Sequence, residues 1–321
     1  MLETIQKSES SPHVPPQSAV LDIETTGLRK TSDFVFLLGI RTAEEFRQWL
    51  ISSREEEGNL LENARPYFAG KTLITYNGDH FDLPFLQERF AVHGIPFPSI
   101  LSQDWFSYLR PRRLFFRFPN LRLRTLASAA GLVRRDPYSG KEIALFGKHL
   151  TDPEAKNAVL LHNQEDVDEL SLLLPFFQRL QKQLQLDTPL TASLESVALK
   201  GDLATLHYRT ELPARPERHF ENSFGALHWT EQDLHCIIPI HHLDTSLNET
   251  VLNDNRANTS APFHEAKTSS RNTACIAAVS PSYAKDCAIP PLPRPFLTLS
   301  SAEGYFAQNC HQLVHDLFSM R

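Results

Sequence analysis

Two acids separated by one residue, Asp22 and Glu24, stand in the apolar run Ala19-Val20-Leu21-Asp22-Ile23-Glu24. Side chains on a strand alternate between faces, so both carboxylates project to one side while Leu21 and Ile23 enter the other. Carboxylates held side by side repel unless a cation lies between them, although a solvated strand end tolerates such a pair without one. Asp82, in Tyr76-Asn77-Gly78-Asp79-His80-Phe81-Asp82-Leu83-Pro84-Phe85-Leu86, falls just past the turn leaving a second apolar strand, in the first turn of a helix. The plain alternative is an acid on a helix dipole, worth about 0.3–1 kcal/mol. In Leu161-His162-Asn163-Gln164-Glu165-Asp166-Val167-Asp168 a spacing of four puts His162 and Asp166 on one helix face, where an ordinary surface pair is the alternative. Together Asp22, Glu24, Asp82 and Asp166 offer the hard oxygen ligands that Mg²⁺ and Mn²⁺ prefer, whereas zinc favours more nitrogen or sulfur. An imidazole, which ordinarily titrates near neutrality, adds a base beside them.

These residues need a sheet and helices to bring them together. Ala19–Glu24, Phe34–Ile40 and Glu45–Leu50 read as three strands in meander order, and Thr72–Tyr76 and Ile100–Trp105 as a fourth and fifth. Leu60, Leu61, Ala64 and Phe68 recur at helical intervals behind Glu55-Glu56-Glu57, whose charges suit a helix start. Phe81–His93 reads as a helix with Pro84 in its first turn and Gly94 after its end, Leu121–Ala130 as another stopped by Gly131, and Pro153–Leu184 as a long helix with a kink at Pro175. The order implies an α/β layer architecture, a mixed sheet flanked by helices.

The chain of 321 residues, 41% of them hydrophobic, suits two domains. Residues 1–17 read as a flexible tail, 18–186 as the α/β domain, and 187–321 as a smaller, partly irregular C-terminal accessory region containing β-structure. In that region Ser196–Tyr208 and Leu234–Ile240 look like short strands. Asp244–Arg271 is rich in Asn, Thr and Ser without periodicity, which reads as a disordered loop. Cys236, Cys275, Cys287 and Cys310 show no CxxC spacing, so reduced thiols in a cytoplasmic protein are expected. The first residues lack a signal-peptide apolar region, and no run of about 18 or more apolar residues is present, so neither export nor a membrane span is expected.

A net charge of -6 gives no global attraction to nucleic acid, so any such contact must be local. Arg110, Arg112, Arg113, Arg117, Arg122, Arg124, Arg134 and Arg135 occur in one segment without an acid, interleaved with Phe115, Phe116 and Phe118. Arginines neutralising phosphates and aromatics stacking on bases grip a single strand in this way; core phenylalanines with a solvated arginine face are the alternative. Asp104 reads either as a supporting acid or as an exposed residue. His241-His242 and the pair His311 and His315 read as surface or packing histidines rather than metal ligands.

The runs LDIETTGL, YNGDHFDLPFL and HNQEDVDEL resemble, in order, the three motifs of the DEDD superfamily of ribonuclease H-like 3′→5′ exonucleases. FLLGI after the first motif, FDLPFL in the second and LRP with HNQED downstream are most similar to the YprB-type subgroup. The resemblance covers about Ser18 to Leu184. One difference concerns His162, which precedes Asp166 by four positions, the spacing of the tyrosine in the DEDDy branch, where the DEDDh branch uses five. The resemblance implies a ribonuclease H-like sheet and hydrolysis of phosphodiester bonds at single-stranded DNA or RNA 3′ ends. It implies two Mg²⁺ or Mn²⁺ ions about 3.5–4 Å apart, with Asp22 bridging them and Glu24, Asp82 and Asp166 completing their shells. His162 is then the residue that orients and deprotonates water. Thr25, Thr26, Leu28, Asn77 and Phe81 are expected at the terminal nucleotide, with Arg112, Arg113, Arg122 and Arg124 on the strand. A structure-specific endonuclease on the same fold, or a catalytically silent nucleic-acid-binding scaffold, are the other readings.

Overall fold

The computed structural model describes residues 2–187, 190–222, 225–244, 273–278, 296–301 and 304–319. The chain divides into two units, Met1–Arg110 with Asn120–Gln178, and Pro111–Pro119 with Arg179–Arg321. The second unit therefore begins at Arg179 rather than after residue 186, and takes in a short stretch of the arginine-rich segment.

The first unit holds a six-stranded mixed sheet. Its strands are β1 (Glu3–Lys7), β2 (Ser18–Thr25), β3 (Val35–Arg41), β4 (Phe46–Leu50), β5 (Thr72–Thr75) and β6 (Leu101–Asp104), in the order β1-β4-β3-β2-β5-β6. β2, β3 and β4 form the antiparallel meander, and β5 and β6 continue it in parallel beyond β2. β3 is buried along its whole length, as an apolar strand covered on both faces must be. Glu3–Lys7, read as part of a flexible tail, instead pairs antiparallel with β4 from Glu3↔Leu50 to Lys7↔Phe46. The ladder supplies backbone partners that the polar sequence Glu-Thr-Ile-Gln-Lys does not announce.

The helices of this unit are α1 (Glu57–Ala64), α2 (Asp82–Val92), α3 (Trp105–Leu109), α5 (Leu123–Ala129) and α6 (Gly140–Phe146), with α4 (Arg113–Phe116) in the second unit, and α7 (Pro153–Gln183) following them. α7 continues through Pro175. The core joins Phe36, Leu38, Trp49, Leu60, Phe85 and Phe90 from strands and helices. Among them lies a fully buried ion pair, Glu57 with Arg89, both 0% exposed. Arg89 donates to both Glu57 oxygens at 2.6–3.0 Å and to the Lys30 carbonyl at 3.2 Å. Glu57 also accepts from the Val35 amide at 2.8 Å and contacts His93 at 2.8 Å, so α1, α2 and the start of β3 meet on one carboxylate.

The second unit is an antiparallel sheet of seven strands in the order β13-β12-β11-β10-β9-β8-β7. These are β7 (Gln185–Leu186), β8 (Ala192–Lys200), β9 (Leu203–Asn222), β10 (Gly225–Asp244), β11 (Thr273–Ala278), β12 (Phe296–Ser301) and β13 (Gly304–Tyr305), followed by α8 (Ala307–Ser319). The Ser196–Tyr208 stretch breaks at Gly201, which takes a left-handed φ of 56°, and β9 and β10 run 20 residues each, far longer than the short strands their sequence suggests. Apart from Asp244, the segment 244–271 lies outside the described residues, as does Cys287. Among the described residues no helix is long and apolar enough to cross a membrane.

Removing one member of a buried ion pair strands the other charge. Arg89→Met is expected to cost about 3–5 kcal/mol of stability, and Glu57→Gln/Arg89→Met less, since Gln keeps an acceptor for Val35 without a stranded charge. Urea unfolding of both variants measures this; equal losses would show that packing of the Arg89 stem, not charge, dominates.

Candidate active site

On β2 the pattern of two is realised: Asp22 and Glu24 are half-buried between the buried Leu21, Ile23 and Thr25. Asp82 is the first residue of α2, and its Oδ1 accepts from the Ile23 amide at 3.2 Å, the peptide lying between the two strand acids. The loop that delivers it turns at Asn77, whose φ of 72° is left-handed, and whose carbonyl accepts from the amides of His80 and Phe81 at 3.2 and 3.1 Å. Asp104 organises this turn. It is 7% exposed, accepts from the amides of Asn77 and Asp79 at 2.8 and 2.9 Å, and caps α3 through the Phe106 amide at 2.9 Å. It is a supporting acid, not an exposed one.

α7 brings the third motif. Asn163 donates to the Asp22 carboxylate at 2.8 Å and to its carbonyl at 3.2 Å, and accepts from Gln48 at 2.9 Å. This approach requires Gly39, which pairs with Asp22 across the β2–β3 ladder: a Cβ there would lie 2.1 Å from Asn163 Oδ1. One residue before, His162 places Nε2 3.4 Å from Asp166 Oδ2 and 4.0 Å from Glu24 Oε1. Single donor atoms of Glu24, His162 and Asp166 all lie within 4.8 Å of one another.

Burial, and then the charges of Glu24, Asp166 and Asp82, push the Asp22 carboxyl well above the usual range, although Asn163 opposes this. Burial followed by Asp166 and Asp82 does the same to Glu24. Burial raises Asp82 from the ordinary 3.8 to about 7, against the amide bond from Ile23. Carboxylates that would rather hold protons than face one another form a donor set matched to a hard divalent cation. Asp22, Glu24, Asp82 and Asp166 fit such an ion by donor type, by convergence and by their mutual repulsion.

Two residues of the site were not legible in the sequence. Asp136, buried, sets Oδ2 2.5 Å from His162 Nδ1 and accepts from the Tyr138 amide at 2.9 Å. A carboxylate only accepts, so Nδ1 carries the hydrogen of this bond and Nε2 is the ring nitrogen that faces Glu24 and Asp166. Arg134, in the arginine-rich segment for which phosphate contact and a solvated face are both open readings, is turned inward. It pairs with Asp166, with Asp136 at 2.7 Å and with Glu169 at 3.1 Å. Burial disfavours its charge, but Asp166 and Asp136 more than restore it and push its pKa up. Its Nη2 stands 3.1 Å from His162 Nδ1 as part of the Asp136 pair, since that nitrogen already donates to the carboxylate. Glu165 of α7 fixes the segment, accepting from the amides of Arg135 and Asp136 at 3.0 and 2.8 Å and from the Arg135 side chain at 2.9 Å.

The expected substrate residues are dispersed in role. The Thr25 hydroxyl donates to the Gly27 carbonyl at 2.8 Å and that of Thr26 accepts from the Phe34 amide at 3.2 Å, so both shape the turn after β2. Leu28 is 81% exposed, and Phe81, half-buried, packs on Phe85 at 5.6 Å. Arg122 is exposed at the start of α5, while Arg124 donates to the Asp136 carbonyl at 2.6 Å. In the second unit Arg112 is buried and paired with Glu195, which makes it structural, and Arg113 is exposed. His311 contacts the Tyr208 hydroxyl at 2.9 Å and the Gln183 carbonyl at 3.1 Å, a packing role as expected.

Residues 19–176 match a family profile described as RNase_H superfamily. This segment has a ribonuclease H-like fold. Solved structures show a distant similarity. The family B DNA polymerase of Pyrobaculum calidifontis is 18% identical, with a TM-score of 0.42 over 53% of this chain and 26% of the polymerase. The E. coli ExoI–ssDNA complex in its zinc-bound form is 11% identical, with a TM-score of 0.32 over 62% of this chain and 55% of its own. NrnC of Brucella melitensis with bound Mg²⁺ is 15% identical, with a TM-score of 0.28 over 54% and 89%. Likeness at this level has no bearing on activity. No curated protein matches the sequence significantly.

Two outcomes are expected. Gly39→Ala pushes Asn163 from Asp22 and costs about 1–3 kcal/mol; adding Asn163→Ala recovers part of it, and a purely additive double-mutant cycle would show that the two residues do not meet. The second concerns pH. In the metal-free fold Asp82 holds a proton to about 7, whereas unfolded it loses it near 3.8, and Asp22 and Glu24 are shifted the same way. Their contribution to stability is thus complete below the unfolded value and lost as pH rises through the folded one. In chelator the melting temperature should fall between about pH 5 and about pH 8, and fall less in Asp22→Asn. Identical pH slopes would mean that Asp22 does not face the other acids.

Proposed function

We propose that the ribonuclease H-like domain is a Mg²⁺- or Mn²⁺-dependent 3′→5′ exonuclease acting on single-stranded DNA or RNA ends. The observation that carries this reading is the convergence of Asp22, Glu24 and Asp82, each held above its ordinary pKa, with Asp166 and a histidine whose tautomer is fixed. Asp22, Glu24, Asp82 and Asp166 would hold two ions, which supply an acidified water and neutralise charge on the leaving oxygen.

The chain's own groups do the rest. Asp136 keeps hydrogen on His162 Nδ1, so Nε2 is free to accept a proton from the attacking water. Water adds to phosphorus, the P–O3′ bond breaks, and a nucleoside 5′-phosphate leaves. Arg134 holds Asp166 and Asp136 together, which keeps the carboxylate and the imidazole in register. The exposed Leu28 and half-buried Phe81 offer apolar surface to a terminal base, and the exposed Arg122 a charge for phosphate. Buried unpaired thiols at Cys236 and Cys310 support a reducing compartment, and with it a cytoplasmic location.

End-labelled single-stranded DNA and RNA, with free or blocked 3′ ends, test the reading. Stepwise shortening should require Mg²⁺ or Mn²⁺, stop in chelator and fail on blocked ends. His162→Ala should lower kcat by about 10²–10⁴, and Asp136→Asn should lower kcat with little change in KM. Cleavage of blocked ends would instead support an endonuclease, and undiminished turnover in chelator would remove the carboxylates from the chemistry.

A further inference from the structure

The second unit carries a cluster of a different chemical kind. In the β9–β10 ladder His235 pairs directly with His207, and Asp233 with Arg209. The neighbours of these residues, Leu206, Tyr208, Leu234 and Cys236, are fully buried, so by alternation His207, Arg209, Asp233 and His235 share the opposite face of the hairpin. Side chains directly opposite and diagonal across an antiparallel pair lie within reach of one another. His207 Nε2 stands 2.7 Å from Asp233 Oδ1, and the two imidazoles lie parallel, 4.6 Å between centroids and 9° between planes. One donor atom each of His207, Asp233 and His235 lies within 4.8 Å of the others.

We infer that His207, Asp233 and His235 form a second cation site, for a borderline transition metal of the Zn²⁺ class, with its fourth position open to solvent. Two imidazoles and one carboxylate suit Zn²⁺, and tetrahedral Zn²⁺ with bonds of about 2.0–2.1 Å needs donors roughly 3.3 Å apart. Reaching that value from the present separations takes a rotation of the side chains, with the His207–Asp233 hydrogen bond replaced by a shared ion. The backbone is fixed by the ladder, which resumes regular register at Asp233 after two shifts between Trp229 and Asp233. Arg209 Nη1 holds the other oxygen, Asp233 Oδ2, at 3.2 Å, which orients Oδ1 toward the imidazoles as outer hydrogen bonds do in built metal sites. With exposures of 25% and 34%, the His207 and Asp233 side chains are accessible without being freely solvated. The set shares no residue with the carboxylates of the first unit and prefers a softer ion. His219 and His228, also paired across the same hairpin with Nδ1 atoms 3.1 Å apart, do not form such a set: Glu221 is the acid in reach, at 3.9 Å from the other ring nitrogen of His219.

Calorimetric titration of the full chain with Zn²⁺ in excess Mg²⁺, with Co²⁺ absorption as a second readout, tests this. One Zn²⁺ per chain is expected, with four-coordinate ligand-field bands for Co²⁺. His207→Asn and His235→Asn should each weaken Zn²⁺ by about tenfold or more, and Asp166→Asn should leave it unchanged. Asp233→Asn, which keeps a hydrogen-bond acceptor for His207 and so the fold, should weaken it as well. Zn²⁺ binding that survives all three hairpin substitutions, that disappears in Asp166→Asn, or that is absent from the wild-type chain overturns the assignment.

Discussion

The repulsion among Asp22, Glu24, Asp82 and Asp166 is the constraint around which the first unit is arranged. Four like charges cannot be gathered at low solvent exposure by burial alone, and three of them are answered by a specific partner. Asn163 donates to Asp22, the Ile23 amide to Asp82, and Arg134 to Asp166. These partners come from three parts of the chain, so the acids converge only once strand, helix and the segment around Arg134 are all in place. Arg134 supplies one internal positive charge to the set, shared with Asp136 and Glu169. It offsets part of the repulsion and leaves the Asp22, Glu24 and Asp82 side with proton affinities still raised.

What the sequence disclosed follows from which features are periodic. Asp22 and Glu24 could be placed on one face because a strand repeats every two residues, and His162 and Asp166 because a helix nearly repeats every four. Strands β2 to β6 and the long helix were legible for the same reason. Asp136 was not, since it sits in an irregular stretch and its role is set by a histidine 26 positions away. The role of Arg134 was not legible because a run of arginines does not state which of them turn inward; only the acids of α7 decide that. β1 escaped notice because a polar edge strand is stabilised by the ladder of its neighbour, not by its own side chains. The His207, Asp233 and His235 set depends on register across a long hairpin with two shifts, which no local pattern encodes.

The two units solve the problem of holding polar groups in different ways. In the first, side chains are fixed by buried hydrogen bonds drawn from several elements, as at Glu57, which serves Val35, Arg89 and His93 at once. In the second, a long two-stranded ladder does the placing, and the side chains on its outer face inherit their spacing from the backbone. The first arrangement favours one geometry strongly; the second leaves side chains free to rotate while their Cα positions stay fixed.

α7 has a bearing on how the chain tolerates changes in length. His162, Asn163, Glu165, Asp166 and Glu169 all project from it, and between them they contact β2 and the segment of residues 134–136. A helix advances about 100° per residue, so one residue inserted between Pro153 and His162 would swing the whole group around the axis and part every one of these contacts together. The irregular segment of residues 147–152, immediately before α7, carries no such phase. A change of length ahead of Pro153 therefore leaves the phase of this group intact, whereas one between Pro153 and His162 does not.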